Sequence, residues 1–584
     1  MNDLHLELTT LHSKNLGAER LFLGEWCLKN FKEWEINKDA IVPYHWDDRN
    51  KLYKDQQYLS SVYKFFLKEI SRNLNLIHKK KHSYRYWEII IGPWLNYFIP
   101  VVFDRWTMLK TAFDQNKVTS YSFIEGRNAS LLPEDINEFH ENLFNQTWNQ
   151  VLYQTIIKEF FSKNSSSNLI EIADLTRKKK IKRTLIAFRY LIKFFIEKIG
   201  SLVNRKDVFI YSFNIPVLEN IKLHFKLRQV PIFWNKQKIN FNKGSNDKNR
   251  KTLINFSTKD DFQEVVKFLL PKMIPSIYVE GYETANKYIS KLSWPSRPKK
   301  ILTSDAYAFD EVFKFWAAQK VENTSKLLIC QHGGHYGIGE FNWEEDHEIS
   351  VSDKYITWGW SDIKNKKIIP LGLVNKFINK VSYSRNAGKL LIVTTNFPRL
   401  SYRLYSIPIA GQWRKYFNFQ IKMINSLDSK IFDNLYLRND VNDYGRKEAE
   451  SWKGALPNIK IDNNSQSMRS IYKDTRLVVH TYNGTSFLES LYLDIPTIIY
   501  FDTNFWELRN SARDLFEELK DAGIFFDDPS LASSHINFIW KDVEAWWRSK
   551  KVREARKNFC NEFAKEDSKY LDKLVGILNQ NATS

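Results

Sequence analysis

The chain has 584 residues, of which 43% are hydrophobic, 26% charged and 15% aromatic, a globular composition that excludes disordered, collagenous and coiled-coil classes. Single cores stop growing at roughly 250–300 residues, so two packed domains, or two with a helical extension, are expected. The formal net charge of +20 favours anionic partners without choosing among nucleic acid, lipid headgroups and phosphorylated substrates. Cys27, Cys330 and Cys560 are an odd set with no CxxC pair, which supports neither a disulfide framework nor a cysteine zinc site and fits a reducing cytoplasm.

The opening MNDLHLELTT has no basic region followed by an apolar one, so the protein is read as unexported. Arg20–Leu23 is a short strand candidate that runs into Gly24-Glu25-Trp26-Cys27, and a second polar cluster follows at Tyr44-His45-Trp46-Asp47-Asp48-Arg49. Residues 1–200 otherwise read as helix, with apolar residues three and four apart in Gln56–Leu76 and Asp135–Ser162. Trp87–Phe103 is the most apolar stretch. At about 17 residues, interrupted by Glu88, Gly92, Pro93 and Pro100, it falls short of the ~20 that a spanning helix needs and is expected to be buried or interfacial. Basic runs stand at His78–His82 and Arg177–Arg183. The second leads into an apolar-periodic segment, Thr184–Val203, that suits an anionic membrane surface or, equally, the charged edge of a packed helix. Nucleic acid is disfavoured, because no zinc-finger spacing, RNP-like motif or Gly-rich basic tail is present.

From about residue 205, strands alternate with helices. Candidates are Asp207–Tyr211, Val230–Trp234, Lys300–Thr303 and Leu327–Cys330, with a helix at Phe309–Val321 and a loop at Lys238–Lys251. A second alternation comprises the strands Lys389–Thr395, Asn434–Arg438, Arg476–His480 and Thr497–Phe501, with helices at Gln412–Leu427 and Ser486–Leu493. The expected organisation is α/β and GT-B-like, with two Rossmann-like doubly wound domains facing across a cleft. Residues 1–380 form an acceptor-side domain with a helical region at about 50–200, 381–528 a nucleotide-binding domain, and 529–584 C-terminal helices.

Three groups of residues carry chemistry. In Val478–Ile499 a buried strand ends in Asn483-Gly484-Thr485-Ser486 and a helix starts at once, so first-turn N–H groups and the helix dipole point into the loop. That geometry binds phosphate: Gly484 permits close backbone approach, Thr485 and Ser486 offer hydroxyls, and Glu489 reaches toward a ribose. The same segment also fits an ordinary helix with Thr or Ser as its N-cap. The second group is the loop Gln331–Glu340, with four glycines and two histidines. His332 is a candidate general base with Glu340 to orient it; a zinc site of His332, His335 and His347 and a purely structural turn are the alternatives. The third consists of Glu25, Asp47, Asp48 and Asp305, candidates to deprotonate an acceptor or to stabilise an oxocarbenium-like centre, although isolated carboxylates commonly cap helices or lie on the surface. Asn396 and Arg399 after one strand, and Arg438 after the next, are candidate donor-phosphate ligands.

Taken together, Leu23-Gly24-Glu25-Trp26-Cys27, Tyr44–Arg49, Tyr86-Trp87, Ile91-Gly92-Pro93-Trp94-Leu95 and Gln331-His332-Gly333-Gly334 resemble a family of transferases encoded in bacterial O-antigen and surface-polysaccharide loci, over nearly the whole chain. More distantly, the His-Gly loop and the Asn-Gly-Thr-Ser helix start look like capsule-type CMP-Kdo transferases and teichoic-acid polymerases of the GT-B group. The resemblance implies that His332 and Gly333 line the cleft and that Asn483, Gly484, Thr485, Ser486 and Glu489 hold a cytidine nucleotide. It implies a metal-independent glycosyltransferase using a CMP-activated ulosonic or nonulosonic acid, with no cofactor beyond that donor, a glycan or lipid-linked glycan acceptor, and a cytoplasmic location, peripheral at the membrane. A CDP-polyol phosphotransferase and a non-catalytic membrane-surface scaffold are the alternatives.

Overall fold

The computed structural model describes residues 4–12, 19–28, 40–124, 130–161, 166–169, 207–241, 244–373, 386–462 and 464–580. The basic run Arg177–Arg183, the amphipathic segment after it and the expected domain boundary near residue 380 lie outside these residues.

Among the described residues the chain builds three parallel sheets rather than the two expected. The first has the order β2-β1-β3-β4, from β1 (Leu4–Glu7), β2 (Glu19–Phe22), β3 (Val118–Phe123) and β4 (Ser166–Leu169). The second runs in sequence order through β5 (Phe209–Ile210), β6 (Lys300–Thr303), β7 (Lys326–Cys330), β8 (Lys354–Thr357) and β9 (Ile368–Pro370). The third contains β10 (Lys389–Val393), β11 (Leu435–Arg438), β12 (Lys460–Ile461), β13 (Thr475–His480), β14 (Thr497–Tyr500) and β15 (Phe525–Phe526), in the order β12-β11-β10-β13-β14-β15. Renumbered within its own sheet, that order is 3-2-1-4-5-6, the order of dinucleotide-binding Rossmann sheets. β2 falls on the expected strand Arg20–Leu23, whereas β1, β3 and β4 escaped the helical reading of residues 1–200 because the strands are four to six residues long and separated by up to about a hundred residues of chain.

Other elements differ locally from expectation. Val230–Trp234 forms no strand, although Trp234 packs on Phe209 and Trp294. The expected helix Asp135–Ser162 is two, Ile136–Asn142 and Gln146–Phe160, because Asn145 turns out of the helix and caps the second by accepting from Trp148 N–H. The end of the expected loop 238–251 is helical, at Asp247–Leu253.

Two long helices, α1 (Arg49–His78) and α2 (Tyr84–Gln115), form an antiparallel hairpin inside the crossover from β2 to β3. The apolar stretch 87–103 is the interior of α2. It is buried because α1 and the helices Gln146–Phe160, Asp261–Met273, Glu311–Glu322 and Trp343–Val351 all pack on it. A helix apolar on every side belongs in a core, and among the described residues no helix is long and apolar enough to cross a membrane. Just past this stretch in α2, Arg105, fully buried, donates to Asp104 Oδ2 (2.6 Å), to Asn149 Oδ1 (3.0 and 3.2 Å) and to Ser401 Oγ and O (2.7 and 2.9 Å). Asp104 also accepts from Tyr44 Oη at 2.8 Å, with His45 Nε2 3.3 Å away. Burial opposes ionisation of Asp104, but His45 and Arg105 outweigh it and hold the carboxyl at about 2.

The C-terminal helices close the molecule on itself. Lys550–Phe563 packs beside the third sheet's helices, whereas Leu571, Leu574 and Leu578 of Tyr570–Asn579 cover Ile210, Leu302, Leu328 and Ile356 of the second sheet. Replacing Arg105 by Ala leaves Asp104 charged and buried without its partner, so Arg105→Ala is expected to lower unfolding stability by about 3–5 kcal/mol, read by denaturant titration.

Candidate functional site

In an open parallel sheet, ligands bind outside the carboxyl ends of the strands where the order reverses, here between β10 and β13. The two ends are tied together: Thr481 N–H donates to Val393 O, and Tyr416 Oη contacts both Thr395 N–H (3.1 Å) and Thr481 Oγ1 (2.5 Å). After β13 the chain turns through Asn483-Gly484 into the helix Thr485–Tyr492, whose N-cap, Gly484, has no side chain to satisfy the first-turn N–H groups. Asn483 is 3% exposed, and neither atom of its amide has a hydrogen-bond partner. A buried, unpaired amide beside an uncapped helix N-terminus is the polar surface that an anionic ligand satisfies.

The hydroxyls of this turn are already engaged. Ser486 Oγ lies 2.9 Å from both His480 Nδ1 and Tyr482 Oη, and burial lowers His480 to about 3, so the contact is to a neutral ring. Thr485 Oγ1 accepts from Gly334 N–H at 3.0 Å. That bond joins the two loops singled out in the sequence. A Cβ at Gly334 would stand 2.6 Å from Gly484 O, so only glycine lets the backbones meet. Glu489 is buried on the same helix, within electrostatic reach of Tyr472. Asn396 uses its side chain on the loop after β11, donating to Asn442 O and Asp443 O, and Arg438 is committed to Asp462 (2.7 Å) and Gln466 O (2.8 Å). Arg399 is buried on Leu28 O and Gly445 O.

The loop that touches Thr485 carries His332, whose side chain is 24% exposed. Its Nδ1 is 3.6 Å from Glu348 Oε1 and its Nε2 3.4 Å from Tyr336 Oη, while Tyr307 Oη donates to Glu348 Oε1 at 2.5 Å. Burial lowers the His332 pKa and pushes Glu348 well above the ordinary carboxylate range, so the imidazole is neutral and able to accept a proton. The carboxylate that faces His332 is therefore Glu348, not Glu340, which lies 3.8 Å from Arg513.

Beside His332 stand residues that the sequence did not single out. Glu344, at the start of the helix Trp343–Val351, accepts from Tyr97 Oη (2.5 Å) and faces Arg403 at 4.0 Å. Arg403 stacks over Tyr405, 4.0 Å from the ring centroid. Burial resists ionisation of Glu344, yet Arg403 and the neighbouring tyrosines overcome it and keep the carboxyl below its usual range. The available signal was the (i, i+4) spacing of Glu344 and Glu348, which puts both on one helix face.

The other carboxylates separate into two places. Asp305 begins the turn Ala306–Phe309 after β6, is held by Ser212 Oγ and acts electrostatically on His332. Glu25 and Asp47 lie at the seam with residues 410–415: Glu25 is 3.6 Å from Arg414, and Asp47 contacts Gln412 (2.9 Å) and Lys415 (3.0 Å). Burial and Asp47 raise Glu25, against the pull of Arg414. Asp48 is the N-cap of α1, accepting from Asn50 and Lys51 N–H. The proposed zinc histidines do not converge. His335 faces Ser406 O, His347 packs against α2, and among the described residues no three His, Cys, Asp or Glu side chains form a metal-holding group.

The sequence profile of the LIC12162 family transferases matches residues 4–578. The chain belongs to the LIC12162 family of transferases. No curated protein sequence matches it. Among solved structures, one similar chain is titled "Crystal Structure Analysis of the Glycotransferase of kitacinnamycin": it is 10% identical, the match covers 51% of this chain and 80% of that one, and the TM-score is 0.30. The rare strings of this LIC12162 family member act largely as fasteners. Gln331 Oε1 accepts from Trp358 N and Trp360 Nε1, Trp26 Nε1 donates to Leu8 O, and Arg49 forks onto Glu507 (2.6 and 2.9 Å). Gly334→Ala is expected to drive the two loops apart and reduce transfer at least about tenfold, while Thr485→Val, which removes only the hydrogen bond, costs about 1 kcal/mol of stability; activity and melting curves distinguish the two.

Proposed function

We propose that this transferase is a metal-independent, GT-B-type glycosyltransferase that moves an ulosonic or nonulosonic acid from a CMP-activated donor to a surface-polysaccharide or lipopolysaccharide acceptor. The observation that carries the reading is the Gly334–Thr485 junction, which sets a neutral, partly exposed histidine beside an uncapped helix N-terminus at the reversal point of a Rossmann-ordered sheet.

In this reading the donor phosphate lies against the first-turn N–H groups of Thr485–Tyr492 and the amide of Asn483, with the nucleotide over the carboxyl ends of β10 and β13. Arg403 presents a planar fork suited to the carboxylate of an acidic sugar or to the charge that develops on the leaving phosphate. His332 takes the proton of the acceptor hydroxyl as that oxygen bonds to the anomeric carbon and the bond to CMP breaks; Glu348, fixed by Tyr307, orients the imidazole. Asp305, close enough to affect His332, supports the imidazolium that forms. Glu25 and Asp48 stand outside this cluster and are assigned no step.

A membrane-surface acceptor is supported by the segment Val217–Phe233. It holds five of the thirteen exposed large hydrophobic side chains among the described residues, Val217, Leu218, Phe225, Val230 and Phe233. It carries Lys222, Lys226 and Arg228 against Glu219, with Lys236 and Lys238 following, a mixture that an anionic headgroup layer attracts, although Lys222 and Lys226 also pair with Glu219 and Asp572.

CMP is expected to raise the melting temperature selectively over CDP, UDP and GDP, since a ligand at 100 times its dissociation constant adds about 2.7 kcal/mol. A shift with CDP instead favours polyol-phosphate transfer, and no shift with any of them overturns the nucleotide-donor reading. His332→Ala is expected to cut turnover by about 10²–10⁴ while leaving the CMP shift intact. Because burial lowers the His332 pKa, the acid limb of the rate profile should lie below pH 6.5. Glu348→Gln, which preserves an uncharged hydrogen-bonding group, should retain most activity where Glu348→Ala does not.

A further inference from the structure

A cavity of about 280 Å³ lies between the α1–α2 hairpin and the helix Trp343–Val351, on residues with no part in the site above. Tyr63 and Lys64 of α1, Glu88 of α2, and Trp343, Asp346 and His347 line it. Its inner polar groups are unsatisfied: both ring nitrogens of His347, a residue 4% exposed, and the hydroxyl of Tyr63 have no hydrogen-bond partner. Buried polar atoms are left unpaired at a cost of roughly 1–3 kcal/mol each, which a ligand recovers when it supplies the partners.

The lining also limits what the ligand can be. Burial lowers His347 to about 3 and holds Tyr63 well above the ordinary phenol range, so both are neutral, and a neutral imidazole asks for one acceptor and one donor. Hydroxyl groups offer both. Glu88, already accepting from Ser350 Oγ at 2.7 Å, has a second oxygen for another hydroxyl. Tyr63 and Trp343, with ring centroids 6.1 Å apart, give an aromatic wall for the apolar face of a sugar ring.

Gly92, in the Ile-Gly-Pro-Trp string, has its reason here. A Cβ at this position would stand 2.5 Å from His347 Cε1 and 2.9 Å from Tyr63 Oη, so the glycine makes the room in which both groups sit. The same helix turns Glu344 and Glu348 toward His332, which makes its two faces the wall between the cavity and the reaction cleft.

We propose that this cavity is a subsite for an uncharged, hydroxylated sugar ring of the acceptor glycan, held by His347, Tyr63 and Glu88 against Trp343. The choice of an acceptor sugar rests on the glycosyl-transfer reading; the cavity and its unpaired groups do not.

The test is saturation-transfer NMR on the full chain with galactose, glucose and N-acetylglucosamine as probes, run beside the CMP melting shift. At least one sugar is expected to bind, with affinity about tenfold weaker in His347→Phe, the effect of one lost buried hydrogen bond. Gly92→Ala should abolish binding. Should it fail to fold, Ser350→Trp, on the exposed rim, blocks the mouth without entering the core. A protein that binds CMP but none of the sugars, or a sugar signal unchanged in both His347→Phe and Ser350→Trp, overturns the subsite and leaves the donor reading standing. Sugar binding lost in these variants with no CMP shift leaves the subsite and removes the donor reading.

Discussion

The buried Asp104–Arg105 pair holds the molecule's parts in register. Two charges removed from water are tolerated only when every neighbour donates or accepts, and here the neighbours come from four separate stretches: Tyr44 and His45 of the Trp-rich string, α2 itself, Asn149, and Ser401 of the C-terminal sheet's first long loop. A hydrophobic contact in the same place would accept many geometries. An ion pair with fixed donors accepts few, so the loop 396–412 is pinned to α2, and with it Arg403, which faces Glu344, and Tyr405, which stacks on His335.

The first sheet's carboxyl edge delivers Glu25 to Gly411 and Arg414, while the second sheet's edge, through Gly334, meets the third's at Gly484 and Thr485. Arg49 adds a second tie, bridging Asp48's helix to Glu507, Gln412 and the carbonyls of Ile407 and Phe505. The family strings that look catalytic because they are polar and aromatic are thus mostly the ties that bring distant chemistry together. Of these strings, the His-Gly loop supplies a titratable group, His332, to the cluster with Glu344, Glu348 and Asp305.

The strand, tight polar turn and helix start were legible because together they are a local pattern, written in about ten consecutive residues at 478–487. The same holds for β7 running into Gln331–Gly334. Glu344, Arg403 and Tyr97 were not legible, because each is an ordinary residue of a helix or loop until another segment packs against it. Hydroxyl roles failed for a related reason. Thr485 and Ser486 have the chemistry of phosphate ligands, but Gly334, His480 and Tyr482 reach them first.

The sequence by itself determined the alternation of strands and helices after residue 205, the strand–turn–helix at 478–492, the histidine loop and the buried character of α2, since each depends on periodicity or on neighbours in the chain. Tertiary structure alone decided that there are three sheets, that the third has the 3-2-1-4-5-6 order, that Gly334 meets Gly484, and that Glu348 rather than Glu340 faces His332. These are contacts between residues up to several hundred positions apart. Their energies depend on burial and distance, and spacing along a chain does not carry either.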